Sequence, residues 1–224
     1  MSVDLRNLAL AAAAAGTLVT GSIALAPALF AQAAPEVPGA PDPERITGGT
    51  YMADPAHSLV EFEVNHFGFN EYFGIFGDVE GTLMLDPADP ASAKVDVTIP
   101  IASVTTASKG LTDHLLRPAK DGGSPDFFGP EPAPARFVST AVTVDGMTAE
   151  ITGDLTINGI TNEVTLEAEF TGAGINPMNK KETVGFEAET TIMRSDFNVN
   201  YGIPLVSDEV ELEISVAFEK ASGM

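Results

Sequence analysis

The sequence predicts an all-β protein: an antiparallel sheet of about eight strands rolled into a barrel, with one short helix between strands. Three observations lead there. First, apolar and polar residues alternate through most of the chain after position 50, and nowhere more clearly than from Glu209 to Glu219. There Val210, Leu212, Ile214, Val216 and Phe218 share one face, and Glu209, Glu211, Glu213 and Glu219 share the other. Second, the alternation gives way to helical spacing in a single segment, Thr106 to Lys120. Third, Asn158-Gly159 stands between two alternating runs, and both residues tolerate the positive φ of a tight hairpin. Such strands hide their apolar faces together as a sandwich or as a closed barrel. At about eight strands, a closed barrel can hold one small ligand.

The elements follow in order. Leu8 to Phe30 is apolar and uncharged, and Ala31-Gln32-Ala33 has the small-x-small form that signal peptidase accepts. Gly16, Thr17, Thr20, Gly21 and Ser22 dilute the apolar stretch. Residues 1–33 therefore read as an export signal rather than a retained anchor, which leaves no stable membrane span and exports the mature chain; the periplasm as its destination is what the family resemblance below implies. Residues 34–48, with Pro35, Pro38, Pro41 and Pro43, read as a flexible mature N-terminus, and residues 49–221 as the barrel domain. His57 to His66 sets Val60, Phe62, Val64 and His66 against Glu61, Glu63 and Asn65. Phe73 to Asp86 is a second strand region, containing Phe76, in which Gly74, Gly77 and Gly81 predict bends or bulges. Lys94 to Val104 turns Val95, Val97, Ile99 and Ile101 one way, and Pro100 marks an edge or bulge. Leu111, Leu115 and Leu116 predict a short helix over the barrel mouth or side, stopped by Pro118. Asp121 to Pro134 is a Gly- and Pro-rich loop carrying Phe127-Phe128. Phe137 to Val144 is a strand, and Ala149, Ile151, Gly153, Leu155 and Ile157 form the inward set of the next. Val164, Leu166, Ala168 and Phe170 return, Thr171 to Lys181 is a loop, and Val184, Phe186, Ala188, Thr190 and Ile192 precede the final strand.

Composition excludes several functions. The 224 residues carry 11 Lys+Arg against 32 Asp+Glu, a formal net charge of -21, which repels nucleic acid and anionic lipid surfaces. The absence of cysteine removes disulfides, thiolate nucleophiles and Cys-based metal sites. Asp54, His57 and Ser58 suggest a triad, but triad members normally come from separate elements, and turn chemistry accounts for all three. His57, His66 and His114 lack close ligand spacing, so no metal site is assigned. His66 shares the inward parity of Phe62 and Val64, where it is either a satisfied core residue or a contact to a ligand head group. Arg194 shares the parity of Phe186 and Ile192; burial requires it to be paired, with Asp196 or another carboxylate as the expected partner and a ligand phosphate or carbonyl as the alternative. Phe67, Phe69, Tyr72, Phe73 and Phe76 either plug the barrel or line a ligand channel.

Separated motifs in order give the chain from Thr50 to Lys220 a family likeness. They are Tyr51-x-x-Asp54-Pro55-x-His57-Ser58, Val60-x-Phe62-x-Val64-x-His66-x-Gly68-Phe69, Gly74-x-Phe76 with Gly81 and Leu83, and Ala102-Ser103-Val104-x-Thr106 with Asp113-His114-Leu115. Asp126-Phe127-Phe128, Phe137-x-Ser139-Thr140, Ile151 through Thr161, Gly185-Phe186-Glu187-Ala188 and Ser195-Asp196-Phe197-Asn198 complete the set. This set resembles the YceI-like proteins, the bacterial periplasmic polyisoprenoid-binding family. The resemblance implies a lipocalin-like barrel with a long apolar tunnel that binds a polyisoprenoid chain, as an isoprenoid quinone or a prenyl phosphate. It implies neither catalysis nor a cofactor beyond the bound lipid, and nothing in the sequence bars a homodimer. Parity then nominates the ligand-facing residues: Val60, Phe62, Val64, His66, Phe69 and Phe76, then Val97, Ile99, Leu115, Phe127, Ile151 and Leu155, and then Leu166, Phe170, Phe186, Ile192, Arg194, Leu212 and Ile214. The expected function is a carrier or reservoir for a long isoprenoid lipid. The alternatives are an enzyme acting on an apolar substrate in the same cavity and an interaction module whose barrel is filled by its own side chains.

Overall fold

The computed structural model describes residues 37–120 and 122–221, so the export signal read over residues 1–33 lies outside the described residues. Eleven strand segments form one antiparallel sheet: β1 (Gly49–Ala53), β2 (Leu59–His66), β3 (Asn70–Phe76), β4 (Glu80–Leu85), β5 (Lys94–Ile99), β6 (Thr105–Thr106), β7 (Ala135–Asp145), β8 (Thr148–Ile157), β9 (Ile160–Ile175), β10 (Glu182–Met193) and β11 (Glu209–Lys220). The sheet closes where β1 pairs with β11 on one side and β4 on the other. β1 and β2, β3 and β4, and β5 and β6 each form one interrupted stave, so the segments make a closed barrel of eight antiparallel staves. Each stave pairs with the next in the chain.

The breaks have local causes. Between β1 and β2, the Asp54 carboxylate accepts the Ala56 N–H at 3.0 Å and its carbonyl accepts the His57 N–H at 3.1 Å, which turns the chain. Between β5 and β6, Pro100 removes a ladder donor and a 3₁₀ turn, Ile101–Ser103, follows. Ser103 Oγ lies 2.7 Å from the Pro100 carbonyl and accepts the Gly77 N–H at 2.9 Å, so one hydroxyl ties this break to the one between β3 and β4. The β8–β9 turn is the expected two-residue hairpin, with Asn158 and Gly159 at φ 53° and 76° and Ile157 opposite Ile160. Two glycines make room for inward rings: a Cβ on Gly74 would overlap the Phe62 ring, and one on Gly153 would overlap Phe137.

Helix α1 (Lys109–Leu115) is the predicted helix, with Leu116 as its C-cap. The structure departs from the sequence expectation in three places. β1 was not anticipated, because five residues are too short to show a period. β9 continues to Ile175, through a stretch read as loop, because Gly172 and Gly174 hide the alternation. The described part of the Pro-rich segment read as flexible is seated on the barrel from Pro38 onward. Ala40 exchanges two backbone hydrogen bonds with Ala173, at 3.1 and 2.8 Å, and Ile46 packs against the core.

The buried residues form a shell and leave the barrel axis open. One cluster joins Tyr51, Leu83, Phe170, Val184 and Phe218 at the end that carries the N-terminal segment, here the lower end. A second gathers Phe76, Val79, Ile99, Ile101 and Val104 near α1, at the upper end. A third holds Phe137, Leu155, Ile192, Phe197 and Val210, by the β8–β9 hairpin and the β10–β11 connection.

Candidate functional site

The open axis is a cavity of about 1320 Å³, walled by residues from every stave of the barrel. Strand parity builds it. On β11, Val210, Leu212, Ile214, Val216 and Phe218 all face it, as do Val60, Phe62, Val64 and His66 on β2. Phe76, Val97, Ile99, Ile151, Leu155, Leu166, Phe170, Phe186, Ile192 and Arg194 face it from their own strands or strand ends, and Leu115 and Phe127 from α1 and the loop beyond it. Phe69 is the exception and is corrected here: it sits in the β2–β3 turn, 86% exposed, and does not line the cavity. Three residues between β2 and β3 carry no fixed parity, which is why alternation misplaced it.

Sequence reading missed several wall residues. Tyr72, read as either plug or channel wall but not nominated as ligand-facing, is on the wall and shares the parity of Gly74 and Phe76. His114, Phe128, Tyr201, Leu205 and the N-terminal Pro43, Glu44 and Ile46 lie in loops or a short helix, where no period operates.

The upper end holds most of the polar groups on the wall: His66, Asn70, Tyr72, Thr106, His114 and Tyr201. His66 packs edge-on to Phe67, with centroids 4.2 Å apart. His114 Nε2 lies 2.8 Å from Asp126 Oδ2, which also accepts from Arg117. Arg117 first and His114 second hold the Asp126 carboxyl below the usual carboxylate range. The His114 ring stands edge-on to Phe127 at 5.2 Å and to Tyr201 at 5.3 Å, and Phe127 meets Tyr201 at 5.3 Å. This aromatic triangle joins α1, the following loop and the β10–β11 connection over one end of the cavity. Among the described residues, the Tyr72 hydroxyl is the buried side-chain polar atom with no hydrogen-bond partner.

Arg194 is on the wall and buried, but it makes no ion pair with Asp196. Its Nε donates to Ser207 O at 2.7 Å, Nη1 to Val199 O at 2.6 Å and Tyr201 O at 3.0 Å, and Nη2 to Val206 O at 2.9 Å. Burial pushes the guanidinium below its ordinary value, and Asp208 partly offsets this. Arg194 therefore organises the β10–β11 connection, and a fork of carbonyls does what a carboxylate was expected to do.

The Asp54–His57–Ser58 constellation is local. His57 Nδ1 lies 2.7 Å from Asp54 Oδ2, while Ser58 Oγ lies 3.3 Å from Ala217 O and accepts the Ala217 N–H at 3.2 Å. Ser58 thus satisfies the backbone at a strand break. His57 does not line the cavity, unlike His66 and His114. Among the described residues, no group of three His, Cys, Asp or Glu side chains is set to hold a metal.

At the lower end a polar staple seals the seam. Glu182 accepts from the Thr47 N–H at 2.8 Å, from Thr47 Oγ1 at 2.6 Å and from the fully buried Tyr51 hydroxyl, and Lys220 Nζ lies 3.7 Å away. Burial, then the hydrogen bond to Glu182, pushes the Tyr51 phenol above its usual range. Burial raises Glu182, but the bonds from Thr47 and Tyr51 and the charge of Lys220 outweigh it and hold the carboxyl down.

An antiparallel barrel of this stave number with an apolar bore defines a lipocalin-like binding fold. The chain belongs to the YceI-like family, whose domain model matches residues 51–218. It is 42% identical over 161 residues to Protein YceI of Shigella flexneri, covering 71% of this chain and 80% of that protein. BcnA of Burkholderia cenocepacia superimposes with a TM-score of 0.61 at 28% identity, covering 74% of this chain and 98% of BcnA. A polyisoprenoid-binding domain from Saccharophagus degradans, implicated in plant cell wall breakdown, shares the fold with a TM-score of 0.53 at 13% identity, covering 78% of this chain and all (100%) of that one. Among the described residues, no helix is long and apolar enough to cross a membrane.

Proposed function

We propose that this protein is a periplasmic carrier or reservoir for a long isoprenoid lipid, with the tail in the barrel axis and the head group at the upper end. The single observation that carries the reading is the cavity: at about 1320 Å³ it exceeds the roughly 300–1,000 Å³ of ordinary small-molecule sites, and its wall is almost wholly apolar. A barrel filled by its own side chains would leave no such space, which argues against a purely structural module. Each CH₂ taken from water contributes about 0.8 kcal/mol, so a long tail binds without a strong polar contact. The polyisoprenoid-binding neighbour supports the same ligand class.

The wall favours an uncharged head group, such as a quinone, over a prenyl phosphate. Arg194 is the sole Arg or Lys among the described wall residues, and four backbone carbonyls already occupy it. A phosphate there would find one remaining guanidinium N–H instead of the two-pronged fork that phosphate recognition uses. Binding rather than catalysis is the reading because the Asp54–His57 pair has no free serine beside it and lies off the cavity wall.

The test is mass spectrometry of lipid extracted from protein purified gently from its native host. An isoprenoid quinone is expected. A prenyl phosphate as the dominant species would overturn the head-group assignment, and an empty barrel would overturn the carrier.

A further inference from the structure

We infer that the N-terminal strap, residues 38–47, is the length gauge of the tunnel: it completes the lower wall and sets how long a tail the barrel accepts. This rests on the isoprenoid reading above and adds a specificity determinant to it. The strap lies ahead of the family-matched region, which begins at residue 51. It is nonetheless built into the barrel. Its backbone pairs with β9 through Ala40 and Ala173. The sheet has been cleared to receive it, since a Cβ on Gly174 would collide with the Pro38 carbonyl and one on Gly172 would press on Ala40. Glu182 clamps its far end through the Thr47 N–H and hydroxyl. Between these anchors, Pro43, Glu44 and Ile46 border the cavity beside Pro87, Pro90 and Met147 of the lower connections.

Direction follows from chemistry. Apart from Glu44 and Thr148, the polar wall groups lie toward the upper end, so a head group belongs there and the tail runs down toward the strap. Ile46, half-buried and packed on the lower core, is then among the last residues a long tail meets. A tail that outgrows the tunnel must displace the strap or leave its final units in water.

The experiment uses the full chain and a graded prenol series from farnesol to solanesol, with binding read by native mass spectrometry and by competition with a fluorescent fatty acid. Ile46→Trp narrows the lower end and is expected to weaken solanesol about tenfold, equivalent to about 1.4 kcal/mol, while farnesol stays within about twofold. Gly174→Val lifts the strap and is expected to shift preference about tenfold toward the long end, with faster amide exchange at Ala40 and Ala173. Should Gly174→Val fail to fold, Ile46→Trp alone decides. Unchanged length preference in a folded Ile46→Trp, or in a Gly174→Val whose exchange shows the strap loosened, overturns the gauge while leaving the lipid reading intact. A wild type that binds no member of the series overturns both.

Discussion

Leu166 and Glu167 are chain neighbours on β9, yet they sit in opposite physical worlds. Leu166 faces the hollow of the barrel, whereas Glu167 faces water in a row of like charges. The inner surface is apolar on every stave. The outer surface aligns Glu61, Glu213, Glu189, Glu167 and Glu150 in register across β2, β11, β10, β9 and β8, and none of them is ion-paired among the described residues. Directly opposed side chains lie roughly 4.5–5.5 Å apart at Cβ, where like charges destabilise a sheet. Neither face is optimised for stability: one side holds space, the other repulsion. The barrel is held by its backbone ladder, the three buried clusters and the polar staples at its ends. The surplus carboxylates deter other strands and other molecules from pairing with the wall.

The contrast can be broken most sharply from inside. Leu166→Asp should cut lipid occupancy by at least about tenfold, because an unpaired charge facing an apolar bore is costly. Native mass spectrometry reads this directly, and full occupancy in a folded variant would dissolve the distinction between the two faces. Next in size is Gly74→Ala, which pushes the Phe62 ring toward the bore and should cost about 1–3 kcal/mol in urea unfolding. A neutral result would show that the ring has room to yield.

The outer face should respond with the opposite sign and a smaller amplitude. Glu213→Gln, which removes a charge opposed by both Glu61 and Glu189, should stabilise the fold by about 0.2–1 kcal/mol at low salt. The gain should shrink in high salt, since the screening length falls to about 3 Å at 1 M. A destabilised variant would mean that the row is doing something other than repelling.

The smallest effect is the pH profile. Burial, then Glu211, Glu71, Glu213 and Glu61, raise the Glu63 carboxyl above its usual value. A raised carboxyl binds its proton more readily in the native state. Its contribution to stability is therefore present below the unfolded value and is lost as pH rises through the folded one. Glu219, held down first by Lys181 and then by Asn179, and Asp96, held down by Arg136, behave oppositely: their contributions are present above the unfolded value and are lost as pH falls through the folded one. Thermal melts should rise slightly as pH drops into the Glu63 range and fall at lower pH. Glu213→Gln should flatten the rising limb, and a melting temperature that only declines on acidification would show that the carboxylates around Glu63 cost no measurable stability.

Much of the architecture was legible in the residues. Alternation assigned the faces of β2, β8, β10 and β11, Leu111 and Leu115 located α1, and Asn158-Gly159 located its hairpin. These are local signals, carried by neighbours on one strand or one turn. The wall residues in loops, Tyr201 and Ile46 among them, left no such signal. Arg194 was recognised as buried, but its partners are backbone carbonyls, and every residue type carries one. The triad suggested by Asp54, His57 and Ser58 dissolved because Ser58 bonds to Ala217, far along the chain.

By itself, the sequence determined which way the residues of each alternating run face, since a period of two is a property of the extended backbone alone, up to the bulges in β7 and β9 that shift it. Only the tertiary structure decided what those faces meet. Closure into eight staves left the apolar side chains around a bore they do not fill, and the strand register brought the glutamates of five segments into one row. Both follow from pairing between segments distant in the chain, and pairing of that kind leaves no period to read.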